Sequence, residues 1–333
     1  LKEEFEVKYQ VLKEQCMIAV IHSHSSVLNC NLFMQPSPGV LDAVDEGIRE
    51  AVSRAVNSTF DAIIEVFTGE IEKVSFNRRD WDPLSEIVNN EAIVWKIYDA
   101  QRALKGIVYN YSCHPVVMGP ENLLLSADWP YYAQQYLRNT FNMPELFVMY
   151  LQGTPGNLNP RNMPMNGKKI PNTFADCQEI GDDVGRQLIG ILNTTPVANV
   201  FTEKTLEKME GLMGDVLIPI DDEDKGEFFA EFAEIEKKSE NNYVKTLIQA
   251  IGVGNIGIIC LPGEIFSEIG LNLKKASPFP LQMVVGYAND YIGYVGSKAV
   301  YEKGGYEMSM MSLSEEEGEI IESTARNLTG QLK

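Results

Sequence analysis

Histidine is scarce in this chain: three residues among 333, at positions 22, 24 and 114. Cysteine is sparse too, with five (16, 30, 113, 177, 260), an odd number and no Cys-x-x-Cys pair. That excludes a disulfide scaffold and a cysteine-based zinc ribbon. Cys16, Cys113 and Cys260 fall in apolar runs and are expected as buried free thiols. Positive charge is in deficit, 28 basic residues against 47 acids for a net charge of −19. A nucleic acid or an anionic membrane would repel such a chain. The acid excess reads as a solvated surface that aids solubility.

Long apolar runs are lacking as well. The nearest candidate, TLIQAIGVGNIGIICLPG (246–263), is uncharged over 18 positions, near the lower limit for a membrane-spanning helix. Its glycines, its proline, Gln249 and Asn255 instead point to two short strands turning at Gly254-Asn255. No transmembrane segment is expected. No signal peptide, repeat or low-complexity linker is visible, and the compartment stays open, a cytoplasmic setting being slightly favoured over secretion. The Asn-x-Ser/Thr triplets at Asn57, Asn110, Asn193 and Asn327 do not decide it.

What is present is an ordinary globular balance, 44% hydrophobic and 23% charged, with ample apolar content for a core. Helical periodicity marks 41–56, 174–193 and 224–239. Asp128 is placed to cap DWPYYAQQYLRNTF, with Pro130 in the first turn, and Ser314 to open SEEEGEIIESTARNL. Strand-like runs lie between them: CMIAVIH, EKVSF, VWKIYDA, GIVYNYSCH, LFVMYLQG, the 246–262 pair and LQMVVGY. The alternation predicts an α/β fold, a mixed β-sheet core flanked by helices, in a single domain over 1–333. The Pro, Asn and Gly-rich stretch 154–173 is expected to be the least ordered.

Chemistry-bearing residues follow these strands. His22 comes after MIAVI, His114 after GIVYNYSC, Glu264 after IGIICLPG, and Tyr294 shortly after LQMVVGY. Open α/β sheets build sites beyond the carboxyl ends of their strands. Were CMIAVIH a buried strand, positions i and i+2 would turn His22 and His24 the same way. A lone His-x-His is a weak metal signal, equally compatible with two satisfied histidines at a strand edge. Arg78 beside Arg79 is equally readable as a surface pair, Tyr306 as a packed aromatic, and Asp128 as a helix cap rather than a catalytic acid.

Taken together, VIHSHSS, Asn77-Arg78-Arg79, SCHPVVM…LLLSADWPYYAQQYL, Gly156-Asn157-Leu158-Asn159-Pro160, LPGE (261–264) and NDYIGY…GGYE (289–307) resemble, in order and spacing, the catalytic domain of the neutral/alkaline, non-lysosomal ceramidase family. The resemblance runs from about residue 16 to 310. It implies a zinc-dependent amidase with His22, His114, Glu264 and Tyr294 as zinc ligands and His24 as a neighbour of the metal. It also implies that Arg78 and Tyr306 stand near the scissile carbonyl. Zinc with an open position supplies hydroxide near neutral pH, Arg78 and Tyr306 would stabilise the oxyanion, and His24 would exchange a proton.

The chain departs from the family pattern at three places. Asn159 stands where the family has serine and Asn157 where it has an acid, so no covalent acyl-enzyme is available; hydroxide on the metal would attack directly, with Asn159 a hydrogen-bond donor. Ser26-Val27-Leu28 replaces a Gly-Pro-Gly that shapes the substrate entrance. The family's N-terminal strands and C-terminal β-domain are expected to be absent, which makes this a compact variant. The expected activity is zinc-dependent hydrolysis of a linear amide (N-acyl) bond in a small-molecule or lipid-like substrate. The alternatives are a non-catalytic, metal-containing binding homologue and a metal-dependent esterase.

Overall fold

The computed structural model describes residues 1–28, 35–79, 86–119, 121–161, 173–201, 209–239 and 241–332. Cys30 and the 162–172 portion of the Pro, Asn and Gly-rich stretch lie outside them. The helices are α1 (Lys2–Tyr9), α2 (Val40–Val56), α3 (Trp129–Thr140), α4 (Phe174–Leu192), α5 (Glu223–Phe229), α6 (Ser267–Ala276), α7 (Lys298–Lys303), α8 (Tyr306–Met311) and α9 (Glu317–Gln331). The longer strands are β1 (Ala62–Glu70), β3 (Glu91–Asp99), β4 (Leu104–Tyr111), β5 (Phe147–Gln152), β8 (Met209–Pro219), β10 (Asn241–Val253), β11 (Ile256–Cys260) and β13 (Leu281–Val285). Shorter ones are β2 (Ser75–Asn77), β6 (Leu158–Pro160), β7 (Ala198–Phe201), β9 (Glu234–Lys238), β12 (Glu264–Ile265) and β14 (Tyr294–Val295).

The expected mixed α/β class is borne out, with two principal sheets in place of one. The first has the order β5-β4-β3-β1-β7, the second β13-β11-β10-β8 with β9 also on β10. Each is antiparallel except for one parallel pair, β4 with β5 and β11 with β13. Alternation along the strands sorts apolar residues into layers. Phe67, Val94 and Tyr109 face Trp129, Leu137, Val184 and Leu188 of α3 and α4. Val66 and Ile93 face Ile258, Cys260 and Met283 across the gap between the sheets. Ile248 and Ile259 face Leu273 of α6 and Ile321 and Ala325 of α9. The result is helices, sheet, sheet, helices.

Several local expectations hold for the reasons given. β10 and β11 pair with Val253 opposite Ile256, so Gly254-Asn255 is a two-residue turn, and Gly254 takes the left-handed φ of +59° that its first position favours. Asp128 caps α3 by accepting from the Trp129 amide at 2.8 Å, and Thr173 and Asp176 form a reciprocal capping box on α4. Cys113, Cys177 and Cys260 are buried free thiols, while Cys16 is half-buried. Among the described residues no helix is long and apolar enough to cross a membrane.

Other expectations are corrected. The stretch 224–239 is a helix only to Phe229; Glu234–Lys238 pairs with β10 instead. The left-handed Ser239, at φ +57°, helps reverse the chain between them. CMIAVIH is no buried strand, but a half-exposed segment whose one β-bridge is Ala19 to Ala288, flanked by hydrogen bonds from Ile18 and Val20 to Asn289 and Tyr287. The final helix begins at Glu317, three residues beyond Ser314. Asn110, one of the Asn-x-Ser/Thr sites, is buried and donates to the carbonyls of Leu151 and Val284. No glycan can reach it.

Candidate metal centre

The two parallel strand pairs end on the same side of the molecule. The Gly286 amide, just past β13, donates to the carbonyls of Gln152 and Gly153 at the end of β5. His114 follows β4 by three residues and Glu264 follows β11 by four. The cluster therefore forms where the two sheets meet, beyond their carboxyl ends.

His114 is fully buried. Its Nδ1 lies 2.8 Å from the Leu158 carbonyl, a bond that assigns the proton to Nδ1 and turns the Nε2 lone pair inward. The Trp129 indole donates to the His114 carbonyl at 3.2 Å and fixes the backbone. Glu264 faces Nε2 with Oε2 at 3.1 Å. Two lone pairs at that separation repel unless a cation, proton or metal, stands between or beside them. Glu264 also accepts from the Tyr291 hydroxyl at 2.6 Å and the Tyr287 hydroxyl at 3.2 Å. Burial alone would raise its pKa; His22, His114 and Tyr291 outweigh that and hold the carboxyl well below its ordinary range.

His22 arrives on the clipped segment. Asn289 receives the Ile18 amide on its side chain and returns its own amide to the Ile18 carbonyl, and the Val20 amide reaches the Tyr287 carbonyl. His22 itself has φ +63°, a strained value for a residue with a side chain, costing roughly 1–3 kcal/mol. Its ring stacks on Tyr287 with centroids 4.2 Å apart, and Nε2 lies 3.6 Å from Glu264 Oε2. A turn, and not strand alternation, thus brings His22 and His24 together, with their Nε2 atoms 3.0 Å apart. His22, His24 and His114 each offer a nitrogen within 4.8 Å of the others. This trio could hold a metal ion. Removal from bulk water lowers the pKa of His22 to about 4 and that of His24 as well, and neighbouring positive charge adds to both shifts. Neutral imidazoles and an ionised carboxylate are a donor set suited to zinc.

The remaining sequence-predicted residues form a second layer. Tyr294 is the direct β partner of Glu264 in β12 and β14; its hydroxyl meets Arg78, whose guanidinium lies 5.4 Å from its ring centre. Burial raises the Tyr294 phenol, with Glu264 adding to the shift and Arg78 opposing it. Arg78 donates to Glu307 and the Gly156 carbonyl at 2.8 Å each, and to Asn159 Oδ1 at 3.4 Å. Tyr306 stands at the rim, 62% exposed, its ring 6.2 Å from that of Tyr294. Arg79 is no surface residue: it is buried, paired with Glu307 and packed over Phe266. Asn157 is structural, accepting from the Ser267 amide and hydroxyl at 2.9 Å each. Gly156 is required by close approach, since a Cβ there would lie 2.3 Å from the Glu264 carbonyl oxygen.

Three residues escaped sequence reasoning: Tyr287, Tyr291 and Glu307. The i, i+4 spacing of Tyr287 and Tyr291 beside Asn289-Asp290 was the available signal. At the mouth, Ser25 binds Asn122 and Ser126, and the intervening Leu123, Leu124 and Leu125 are exposed.

Comparison with protein-family models and with curated sequences yields no match. Among solved structures, the fold matches the neutral ceramidase from Pseudomonas aeruginosa with a TM-score of 0.80 at 18% identity, over 99% of this chain and 63% of that one. It matches a ceramidase complexed with C2 with a TM-score of 0.79 at 18% identity, over 99% of this chain and 64% of that one. The chain thus spans just under two thirds of the length of each.

Proposed function

We propose that this chain is a single catalytic unit, a zinc-dependent hydrolase of linear amide (N-acyl) bonds in a lipid-like or smaller substrate. The observation that carries the reading is the convergence of His22, His114 and Glu264, from three distant segments, with His24 beside them. The fold shared with two ceramidases supports the amide as the bond.

In this reading His22, His114 and Glu264 hold the ion, with Tyr294 approaching from the strand paired to Glu264. A zinc ion held there would supply a water acidified to a pKa of roughly 7 and a Lewis acid for the carbonyl. The protein's own groups do the rest. Leu158 keeps the His114 proton on Nδ1, so Nε2 remains a donor of electrons. Arg78, held positive by Tyr294 and Glu307 against the cost of burial, opposes the negative charge that grows on the carbonyl oxygen. Tyr306 adds a hydroxyl from the rim and Asn159 an amide hydrogen bond. His24 Nε2 would take a proton from the attacking water as its oxygen bonds to the carbonyl carbon, and return it to the departing nitrogen as the C–N bond breaks. With Asn157 and Asn159 in place of an acid and a serine, no side chain there can form an acyl-enzyme.

The test is elemental analysis of the purified protein, followed by turnover of a panel of N-acyl amides and matched esters, with and without chelator. Stoichiometric zinc with chelator-sensitive amide hydrolysis is expected. Turnover of esters alone makes the protein an esterase. Bound zinc without turnover of any member makes it a binding homologue and overturns the proposal.

A further inference from the structure

The GGYE segment holds a carboxylate with no assigned role, Glu307. It is buried, and its two oxygens are divided between neighbouring arginines. Oε1 accepts from Arg78 Nε at 2.8 Å and Oε2 from Arg79 Nη1 at 2.8 Å. Two adjacent guanidinium groups repel each other, and with most of their surface removed from water they lack solvent screening. One carboxylate between them offsets that repulsion and leaves a single positive charge at the site.

The geometry also sets direction. An arginine has five N–H donors in a fixed plane. Glu307 takes Nε of Arg78 and the Gly156 carbonyl takes Nη2, Nη1 makes a long 3.4 Å contact with Asn159, and the Tyr294 hydroxyl also meets the guanidinium. Nε and Nη2 are thereby anchored, and the contact to Asn159 is the longest of the three. Arg79 serves as the counterweight. Its Nη2 donates to the Gly304 carbonyl at 2.9 Å, so the same ion pair secures the turn that precedes α8. Tyr306 is the first residue of α8 and Glu307 the second. One side chain therefore fixes both groups proposed to meet the substrate carbonyl.

We infer that Glu307 is the positioning residue of the site, aiming Arg78 and docking Tyr306 at the rim, without itself touching substrate. The inference rests on the hydrolase reading for its kinetic consequence only; the aiming of Arg78 stands apart from it.

The experiment pairs kinetics with a spectroscopic readout that needs no activity. Glu307→Gln keeps the size of the side chain and removes its charge. In nitrogen-15 spectra the Arg78 Nε–H signal, assigned by its loss in Arg78→Lys, should be shifted and protected from exchange in the wild type. In Glu307→Gln it should move to the position of a free arginine, with zinc content unchanged. On the best amide of the panel, kcat should fall about 10²-fold, the size of losing one transition-state donor, with KM nearly constant. In an Arg78→Ala background Glu307→Gln should add much less than it does in the wild type, because its effect through Arg78 is already gone and only the docking of Tyr306 is left to lose. An Arg78 signal indifferent to Glu307→Gln overturns the inference whether or not the protein hydrolyses anything. A shifted signal in a protein without turnover keeps the inference and removes the hydrolase reading. Full additivity in the double variant also overturns it, since that marks a merely structural residue. Should Glu307→Gln fail to fold, Arg79→Lys, which frees one carboxylate oxygen, is read by the same signal.

Discussion

Two buried glutamates, at opposite ends of one parallel strand pair and the helix behind it, meet opposite electrostatic fates. Glu264 and Glu317 are equally hidden, 3% and 1% exposed. Around Glu264 stand His22, His114 and the hydroxyls of Tyr287 and Tyr291, and the carboxyl is held below its ordinary range. Around Glu317 the donors found among the described residues are neutral, the Ser312 hydroxyl at 2.5 Å and the Leu313 amide at 2.8 Å among them. There burial prevails and the pKa rises to about 7. Depth in the protein is common to both; groups able to carry positive charge are not. A deeply buried carboxylate held ionised beside three imidazoles could help hold a cation, while its counterpart with the raised pKa closes the start of a helix.

The sharpest way to break the contrast is to remove the cationic side. His114→Ala and Glu264→Gln are each expected to abolish stoichiometric zinc and to lower kcat/KM at least about 10³-fold, read by elemental analysis and initial rates on a folded variant. Full metal occupancy in either defeats the assignment of that residue. His24→Ala comes next. It should retain zinc while kcat falls by about 10²-fold, the scale of general acid–base catalysis. Loss of zinc there would make His24 a ligand. Tyr291→Phe deletes one hydrogen bond to Glu264 and should weaken zinc binding by about 10 to 100-fold in a competition with a chelator.

The smallest effect belongs to the other glutamate. The folded pKa of Glu317 lies above its value of 4.5 in the unfolded chain, so the native state holds the extra proton. The associated stability is complete below pH 4.5 and is lost as pH rises through about 7, up to about 3 kcal/mol. Glu317→Gln should therefore lose Tm relative to wild type at pH 5 and recover against it at pH 8. A difference in Tm that does not change with pH would show that Glu317 is ionised throughout.

Much of this arrangement was legible along the chain. Gly254-Asn255 announced its hairpin, Asp128 its cap, and His114 and Glu264 their positions beyond strand ends. These signals are local, read from residues within a turn of one another. CMIAVIH misled because apolar composition resembles a strand even where the segment forms only an isolated bridge, Ala19 to Ala288, and no ladder. Arg79 misled because two adjacent arginines look like surface until a carboxylate 228 positions away is found between them. Tyr287 and Tyr291 were invisible as partners of Glu264 for the same reason.

The sequence by itself determined the class of fold, the periodic elements, the caps, and the few residue types able to bind a cation, because each depends on short-range geometry and chemistry. Only the tertiary structure decided which of them share a centre. It brought His22 in through a left-handed turn, set Glu264 between imidazoles and tyrosines, and locked Arg78 and Arg79 onto one carboxylate. Those outcomes depend on long-range packing of two sheets, in which distance and dielectric are properties of the assembled molecule.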